Sequence, residues 1–131
     1  MSPREKASAA KEVADRKKAK LMLALVMKSL DDDKAEDIIS IDLAGKTPIA
    51  DYMVVASGRS ARHVGAVADH LTRRLKEEGY GLAQVEGMQQ GDWVLIDAGD
   101  IVIHVFRPEV RQFYRLEKMW EADIPADQLA V

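Results

Sequence analysis

The sequence predicts a single α/β domain in which a mixed sheet of about five strands is packed by helices. Three observations predict this fold class. The 131 residues suit one domain. Cysteine is absent, so no disulfide framework replaces a hydrophobic core. Segments with the period of a strand are interspersed with segments of helical period, in the order helix, strand, strand, helix, strand, strand, strand, helix.

The N-terminal part is expected to differ from the rest of the chain. Residues 1–19 are polar and charged, which predicts a flexible extension. A helix is predicted over residues 20–30, where apolar residues recur at helical spacing. It should end at the acidic run 31–33, because carboxylates are unfavourable at the negative end of a helix. We expect the domain to span residues 20–122 and a loose tail to follow over 123–131.

The middle of the chain predicts two strands and a long helix. Ile39, Ile41 and Leu43 alternate with polar residues, as in a half-buried strand. Residues 52–56 form a continuous apolar run, which is typical of a strand covered on both faces. Ser60 is well placed as the N-cap of the helix that follows. The apolar face of that helix is predicted to consist of Val64, Val67, Ala68, Leu71 and Leu75.

A short strand is predicted after the long helix, and a final helix is predicted near the end of the chain. Gly79 is expected to end the long helix in a left-handed conformation, and a short strand is predicted over residues 82–85. Pro108 suits the first position of the last helix, because its missing amide costs nothing there. The apolar stripe of that helix is expected to include Phe113 and Trp120.

The most informative part of the chain is a predicted hairpin of two apolar strands joined at Gly99, where positive φ permits a tight turn. In the expected register Asp97 faces Asp100 and Trp93 faces His104, with a shift of one residue if the turn contains a bulge. Both faces of the hairpin are largely apolar. Each therefore needs a cover, which is either a helix of this chain or a partner.

The charge distribution favours a basic macromolecular partner. The formal net charge of −3 argues against generic nucleic-acid binding. Residues 80–106 contain no Lys or Arg, whereas residues 1–20 carry seven basic and three acidic residues. An acidic surface suits a basic partner, and ribosomal proteins are abundant basic candidates in the cytoplasm. The cytoplasm is the expected location, since no signal core and no membrane-length apolar run is found.

No constellation for catalysis or metal binding is found, so no cofactor and no metal are expected. His63 and His70 are too far apart on one helix to bind one ion, and surface or capping roles are expected for the three histidines, His63, His70 and His104. No predicted strand carries the paired carboxylates that a two-metal nucleotidyltransferase needs.

One turn remains a candidate anion site, because it leads into a helix N-terminus whose free amides can bind an anion. The turn supplies Ser57, Gly58, Arg59, Ser60 and Arg62. It leaves a nucleotide-binding protein or a degenerate nucleotidyltransferase-like enzyme as an alternative. A second alternative is an RNA-binding adaptor that uses the basic N-terminus.

Motifs across the chain match those of a known family in order and spacing. They are DYMVVASG at 51–58, SxRHV at 60–64, EG at 86–87, WVLIDxGDIVIHVF at 93–106, and FYxLE at 113–117 with Trp120. Together they resemble the ribosomal silencing factor family, RsfS, also called Iojap-like. The resemblance covers about residues 21–120. Arg59 departs from it, because the family more often has a small polar residue there.

The resemblance implies a nucleotidyltransferase-like core without catalytic carboxylates, in a protein that is not an enzyme. It implies binding to the fourteenth-numbered protein of the large ribosomal subunit, which blocks association with the small subunit and represses translation when nutrients are scarce. Members of the family tend to be homodimers when alone. A role in ribosome assembly is a further alternative, and neither a membrane nor a specific nucleic-acid sequence is an expected partner.

The predicted contacts with the ribosomal protein are Trp93, Leu95, Asp97, Asp100, Arg107 and Tyr114. Each also has a structural interpretation. Trp93 is either an interface anchor or a core or dimer contact. The two aspartates either bind basic residues of the partner or stabilise the turn. Arg107 either contacts the partner or neutralises one of these aspartates within the fold. Tyr114 lies either at the interface or under the sheet.

Overall fold

The fold was analysed in a computed structural model, which describes residues 3–114 and the side chains of residues 10–111. Within this part of the chain the elements follow the predicted order. They are α1 (Pro3–Asp32), β1 (Glu36–Asp42), β2 (Tyr52–Ser57), α2 (Ala61–Glu77), β3 (Gln84–Glu86), β4 (Trp93–Asp97), β5 (Ile101–Phe106) and α3 (Pro108–Tyr114).

The strands form one five-stranded sheet in the order β1-β2-β5-β4-β3. Strands β2 and β5 are parallel, and all the other neighbours are antiparallel. Strand β2, which lies between β1 and the central strand β5, is buried along nearly its whole length, because its apolar run is covered on both faces. The mixed sheet packed by helices is therefore confirmed.

Helices α1 and α2 cover one face of the sheet, where the larger core cluster lies. The five predicted apolar residues of α2 are all buried in that cluster. Ser60 is the N-cap of α2, as predicted, and its hydroxyl oxygen accepts the amide of His63 at 3.1 Å. Gly79 follows the end of α2 with a φ of +84°, which confirms the predicted left-handed position.

The opposite face of the sheet, here called the distal face, carries a smaller apolar cluster. This cluster includes Met53 and Val55 of β2 and Phe106 of β5, and Val110 of α3 packs against it. Trp93 and Val102 are only partly buried at its margin. The distal face is therefore the one on which hairpin side chains remain accessible within the described part of the chain.

Helix α1 begins at Pro3 and not near residue 20, where the sequence predicted its start. Residues 4–19 contain neither Gly nor Pro and are rich in Ala, Lys, Glu and Arg, the residues with the highest helix propensity. Local propensity therefore extends the helix beyond its packed part. Helical geometry does not test whether this segment is flexible, so the proposed division at residues 19 and 20 stays a prediction. The C-terminal tail and Trp120 lie outside the described residues.

The predicted register of the hairpin is wrong by two residues. Asp97 pairs with Val102, and Trp93 pairs with Phe106 instead of His104. The reason is the position of the turn: the amide of Ala98 donates to the carbonyl of Ile101 at 3.0 Å, so the two loop residues are Gly99 and Asp100 instead of Ala98 and Gly99. A shift of two residues leaves every side chain on its predicted face, because the side-chain period of a strand is two.

Candidate functional site

Strand β4 places a row of three side chains on the distal face. Trp93, Leu95 and Asp97 alternate with Val94 and Ile96, which are fully buried beneath the helices. Trp93 and Leu95 are partly buried, whereas Asp97 is exposed. The row spans roughly 13 Å, at about 3.3 Å per residue. We call it the β4 row.

The indole of Trp93 is held in place by two aromatic neighbours on β5. Its Nε1–H donates to Nδ1 of His104 at 3.0 Å. Its ring stacks on Phe106 with centroids 4.9 Å apart. The indole therefore satisfies its one polar group within the fold and leaves apolar surface accessible, which is what an interface anchor requires.

His104 is buried and neutral. Burial lowers its pKa from 6.5 to about 4, because the charged imidazolium loses its hydration there. Since Nδ1 accepts the indole proton of Trp93, the ring proton of neutral His104 lies on Nε2. The sequence suggested a surface or capping role for this histidine, which is wrong, because the ring is buried. The predicted register had already placed it opposite Trp93, and the observed register makes the two residues diagonal neighbours on the same face.

An acidic rim borders the β4 row. Glu86 of β3 pairs directly with Leu95, so the two side chains share the distal face, and Glu86 is exposed. Asp97 stands at the end of the row and accepts the amide of Gly99 through Oδ1 at 2.9 Å. That bond is the turn-stabilising role foreseen as its alternative, and it leaves the exposed carboxylate accessible. Glu86 was not among the predicted contacts, because only strand pairing brings it beside Leu95.

Asp100 and Arg107 lie at opposite ends of the hairpin. The carbonyl of Asp100 accepts the amides of Asp51 and Tyr52 at 2.8 and 3.2 Å, which joins the turn to β2. Arg107 forms ion pairs with Asp92 at 2.6 Å and Glu109 at 3.2 Å. The interpretation that Arg107 neutralises Asp97 or Asp100 is therefore wrong, because the length of the hairpin separates them.

The structure thus brings together only part of the predicted contact set. Trp93, Leu95 and Asp97 form one continuous row, with Arg107 beyond one end and Asp100 beyond the other. The side chain of Tyr114 lies outside the described residues. Gly87 is needed next to the row, because its φ is +90° and a Cβ there would collide with the carbonyl oxygen of Trp93.

The candidate anion turn is occupied by contacts within the fold. Arg59 pairs with Glu36 at 3.2 Å, and the backbone amide of Arg59 donates to Nδ1 of His63 at 2.9 Å. Ser57 is buried, and its hydroxyl oxygen accepts a bond from Arg111 at 3.0 Å. The Ser60 hydroxyl caps α2. These contacts join β1, α2 and α3.

Two observations limit the chemistry of the described part of the chain. No group of three His, Cys, Asp or Glu side chains within it is arranged to hold a metal ion. None of its helices combines the length and the apolar character that a membrane span requires. The feature that stands out on the distal face is the β4 row, a partly exposed apolar surface with an acidic rim.

Comparison with known proteins identifies relatives of this chain. The chain is 55% identical over 112 residues to ribosomal silencing factor RsfS of Zymomonas mobilis subsp. mobilis, which covers 82% of this chain and 84% of that protein. It is 35% identical over 120 residues to the mouse protein named mitochondrial assembly of ribosomal large subunit protein 1, with 89% of this chain and 53% of that protein covered.

A solved structure and a family model extend the comparison. A crystal structure of a protein from Chromobacterium violaceum superposes with a TM-score of 0.76 at 39% identity and covers 82% of this chain and 89% of that one. The family model described as "Ribosomal silencing factor during starvation" matches residues 15–130, a longer stretch than the motifs cover. The chain belongs to the ribosomal silencing factor family.

Proposed function

We propose that this protein binds the large ribosomal subunit through its fourteenth-numbered protein, in the cytoplasm. Occupation of that surface sterically blocks association with the small subunit and represses translation under nutrient limitation. The protein acts by binding alone, without catalysis and without a cofactor. The observation that carries the proposal is the β4 row, in which half-buried Trp93 and Leu95 lie beside the exposed carboxylates of Glu86 and Asp97.

The composition of the β4 row supports a basic protein as the partner. When a tryptophan anchors the centre of an interface, its truncation costs about 2 kcal/mol or more of binding free energy. Carboxylates at the rim mainly speed association with a basic partner and orient it, and they add less to the affinity. Residues 80–106 contain no Lys or Arg, so no basic side chain of that segment repels a basic partner.

The primary experiment is cosedimentation with purified large subunits at moderate salt, followed by a subunit-joining assay. The proposal expects the protein to sediment with the large subunit and to reduce the formation of complete ribosomes. Failure to sediment would contradict the proposed partner. Binding without inhibition of joining would instead favour a role in assembly of the large subunit, which the printed name of the mouse relative suggests.

The contact surface is tested with Leu95→Asp and the matched control Leu21→Asp. Leu95 is partly buried in the middle of the β4 row, whereas Leu21 is 66% exposed on α1, on the other side of the sheet. A buried, unpaired carboxylate in the interface should weaken binding roughly 30-fold or more, which corresponds to at least about 2 kcal/mol. Leu21→Asp should bind like the wild type. Equal affinities of the two variants would remove the β4 row from the interface.

The rival function is nucleotide binding at the turn of residues 57–62. Ser57, Arg59 and Ser60 already have partners in the fold, which leaves Arg62 as the exposed cation of that turn. Calorimetry with nucleoside triphosphates and magnesium distinguishes the two, since saturable heat would favour the rival. A homodimer of the free protein is also part of the proposal, and sedimentation equilibrium tests it.

A further inference from the structure

The first half of α1 extends beyond the packed domain as a helical arm. Ala19, which is 1% exposed, is the first buried residue of α1 among the described side chains. Every side chain from residue 10 to residue 18 is exposed. No side chain of residues 10–18 is therefore buried against the sheet or α2, although Arg16 lines a shallow cavity together with Asp42 and Tyr52. We call residues 3–18 the arm.

The described basic side chains of the arm, those from residue 10 onward, form no ion pairs with carboxylates of the described residues. Lys17 and Lys18 lie at its end, and neither forms an ion pair within the described part of the chain. The same holds for Lys11, Arg16 and neighbouring Lys20. In contrast, five of the ten basic residues between positions 28 and 111 form ion pairs with carboxylates; these are Lys28, Arg59, Arg73, Arg74 and Arg107.

Charge is consequently segregated along the molecule. Residues 1–20 hold seven of the 19 basic residues and three of the 22 acidic residues, which leaves 12 basic and 19 acidic residues for the rest of the chain. The domain that carries the β4 row is acidic, and the helix that leaves it is basic. A partner surface with one sign of charge does not complement both. A surface on which a basic protein lies beside a polyanion complements both.

We propose that the arm binds the phosphate backbone of ribosomal RNA while the β4 row binds the ribosomal protein. This inference rests on the proposed function, because it assumes that the partner is the ribosome. Unpaired Lys and Arg side chains neutralise phosphates and release counterions, which is the main source of sequence-independent affinity for nucleic acids. The described arm contains no Asn, Gln or aromatic side chain to read or stack on bases, so contact with the backbone is expected.

An anionic membrane is the competing polyanion, and the arm lacks what it requires. A helix that lies on a membrane buries a continuous apolar face. Among the exposed residues 10–18, Val13 is the one large apolar side chain, and basic residues occur on several sides of the helix. The chemistry of the arm therefore fits RNA better than lipid.

The test compares Lys17→Glu/Lys18→Glu with the control Lys34→Glu/Lys76→Glu, in the full chain. Both double variants change the net charge equally, and all four lysines are exposed and unpaired in the described structure. Binding to large subunits is measured over a range of salt concentrations. If both lysines contact phosphates, the arm variant should lower the slope of log affinity against log salt by about two and weaken binding on the order of tenfold at low salt. The control should keep the wild-type slope.

Equal slopes for the arm variant and the wild type would overturn the proposal, while loss of binding in Leu95→Asp would show that the proposed function still holds. If the wild type does not bind large subunits, a fluorescent RNA hairpin of arbitrary sequence tests the arm alone. If the wild type binds that hairpin and the arm variant does not, the inference is supported. Binding to vesicles of phosphatidylglycerol and phosphatidylcholine without binding to the hairpin would overturn it. Far-UV circular dichroism checks that both variants keep their helix.

Discussion

Burial of His104 predicts that the stability of this protein falls as the pH drops below about 6.5. The pKa of His104 is lowered from 6.5 to about 4 in the folded state, because the ring is buried next to Trp93 and Phe106. Between these values the unfolded chain binds a proton that the folded protein does not bind. Acidification through this window therefore stabilises the unfolded state, and the contribution of neutral His104 is complete only above pH 6.5.

The magnitude follows from the two pKa values. With a pKa of 6.5 in the unfolded state and about 4 in the folded state, proton uptake by the unfolded chain lowers the free energy of unfolding by about 2 kcal/mol from pH 7.5 to pH 5. The full shift corresponds to roughly 3 kcal/mol, which is reached only near pH 4. His104 is 9% exposed, so little solvent screening reduces this value.

The assay is urea denaturation of the wild type and of His104→Asn at a series of pH values. Asparagine presents an oxygen near the position of Nδ1, so it retains an acceptor for the indole of Trp93 and removes the titrating group. The difference in unfolding free energy between the two proteins should shrink by about 2 kcal/mol from pH 7.5 to pH 5. A difference that does not change with pH would refute the assignment of a buried, neutral histidine.

Two further predictions concern the glycine beside the β4 row and the serine that caps α2. Gly87→Ala should destabilise the protein by about 2 kcal/mol or more, since a Cβ collides with the Trp93 carbonyl and φ is +90°. Gly99→Ala, also at positive φ but with nothing within 4 Å, should lose only about 1 kcal/mol, and equal changes in Tm would disprove the close contact at Gly87. Ser60→Ala should lower stability by about 1 kcal/mol through loss of the N-cap, measured by urea denaturation. The same variant should bind large subunits normally, and a binding defect would place the turn of residues 57–62 in the interface.

Much of the fold was predictable because local patterns carry the information. The burial of α2 follows from one apolar stripe, and its start and end follow from a serine cap and a glycine at positive φ. The first position of α3 follows in the same way from Pro108. The two faces of the hairpin follow from the alternation of side chains in β4 and β5. Each of these features depends on residues within a few positions of one another.

The candidate site was only partly predictable. Trp93, Leu95 and Asp97 form a row because alternation within one strand places them there. Glu86 joins the site only through the pairing of β3 with β4. The predicted register already placed Trp93 opposite His104, but the hydrogen bond between them and the stacking of Trp93 on Phe106 depend on the observed register. The register differed from the prediction because the two-residue turn consists of Gly99 and Asp100 instead of Ala98 and Gly99.

The sequence by itself determined the class of fold, the faces of the strands and the family, because these depend on periodicity and on motifs of contiguous residues. Tertiary structure decided which charges distant in sequence meet, whereas the helical pairs Lys28–Asp32 and Arg73–Asp69 are local. Arg107 pairs with Asp92 and Glu109 instead of the carboxylates of the hairpin turn, and Arg59 pairs with Glu36 across to β1. Ion pairs form over a few ångströms between groups whose separation depends on register and packing. A linear sequence does not specify those distances, so the surface that remains for a partner emerges only from the folded chain.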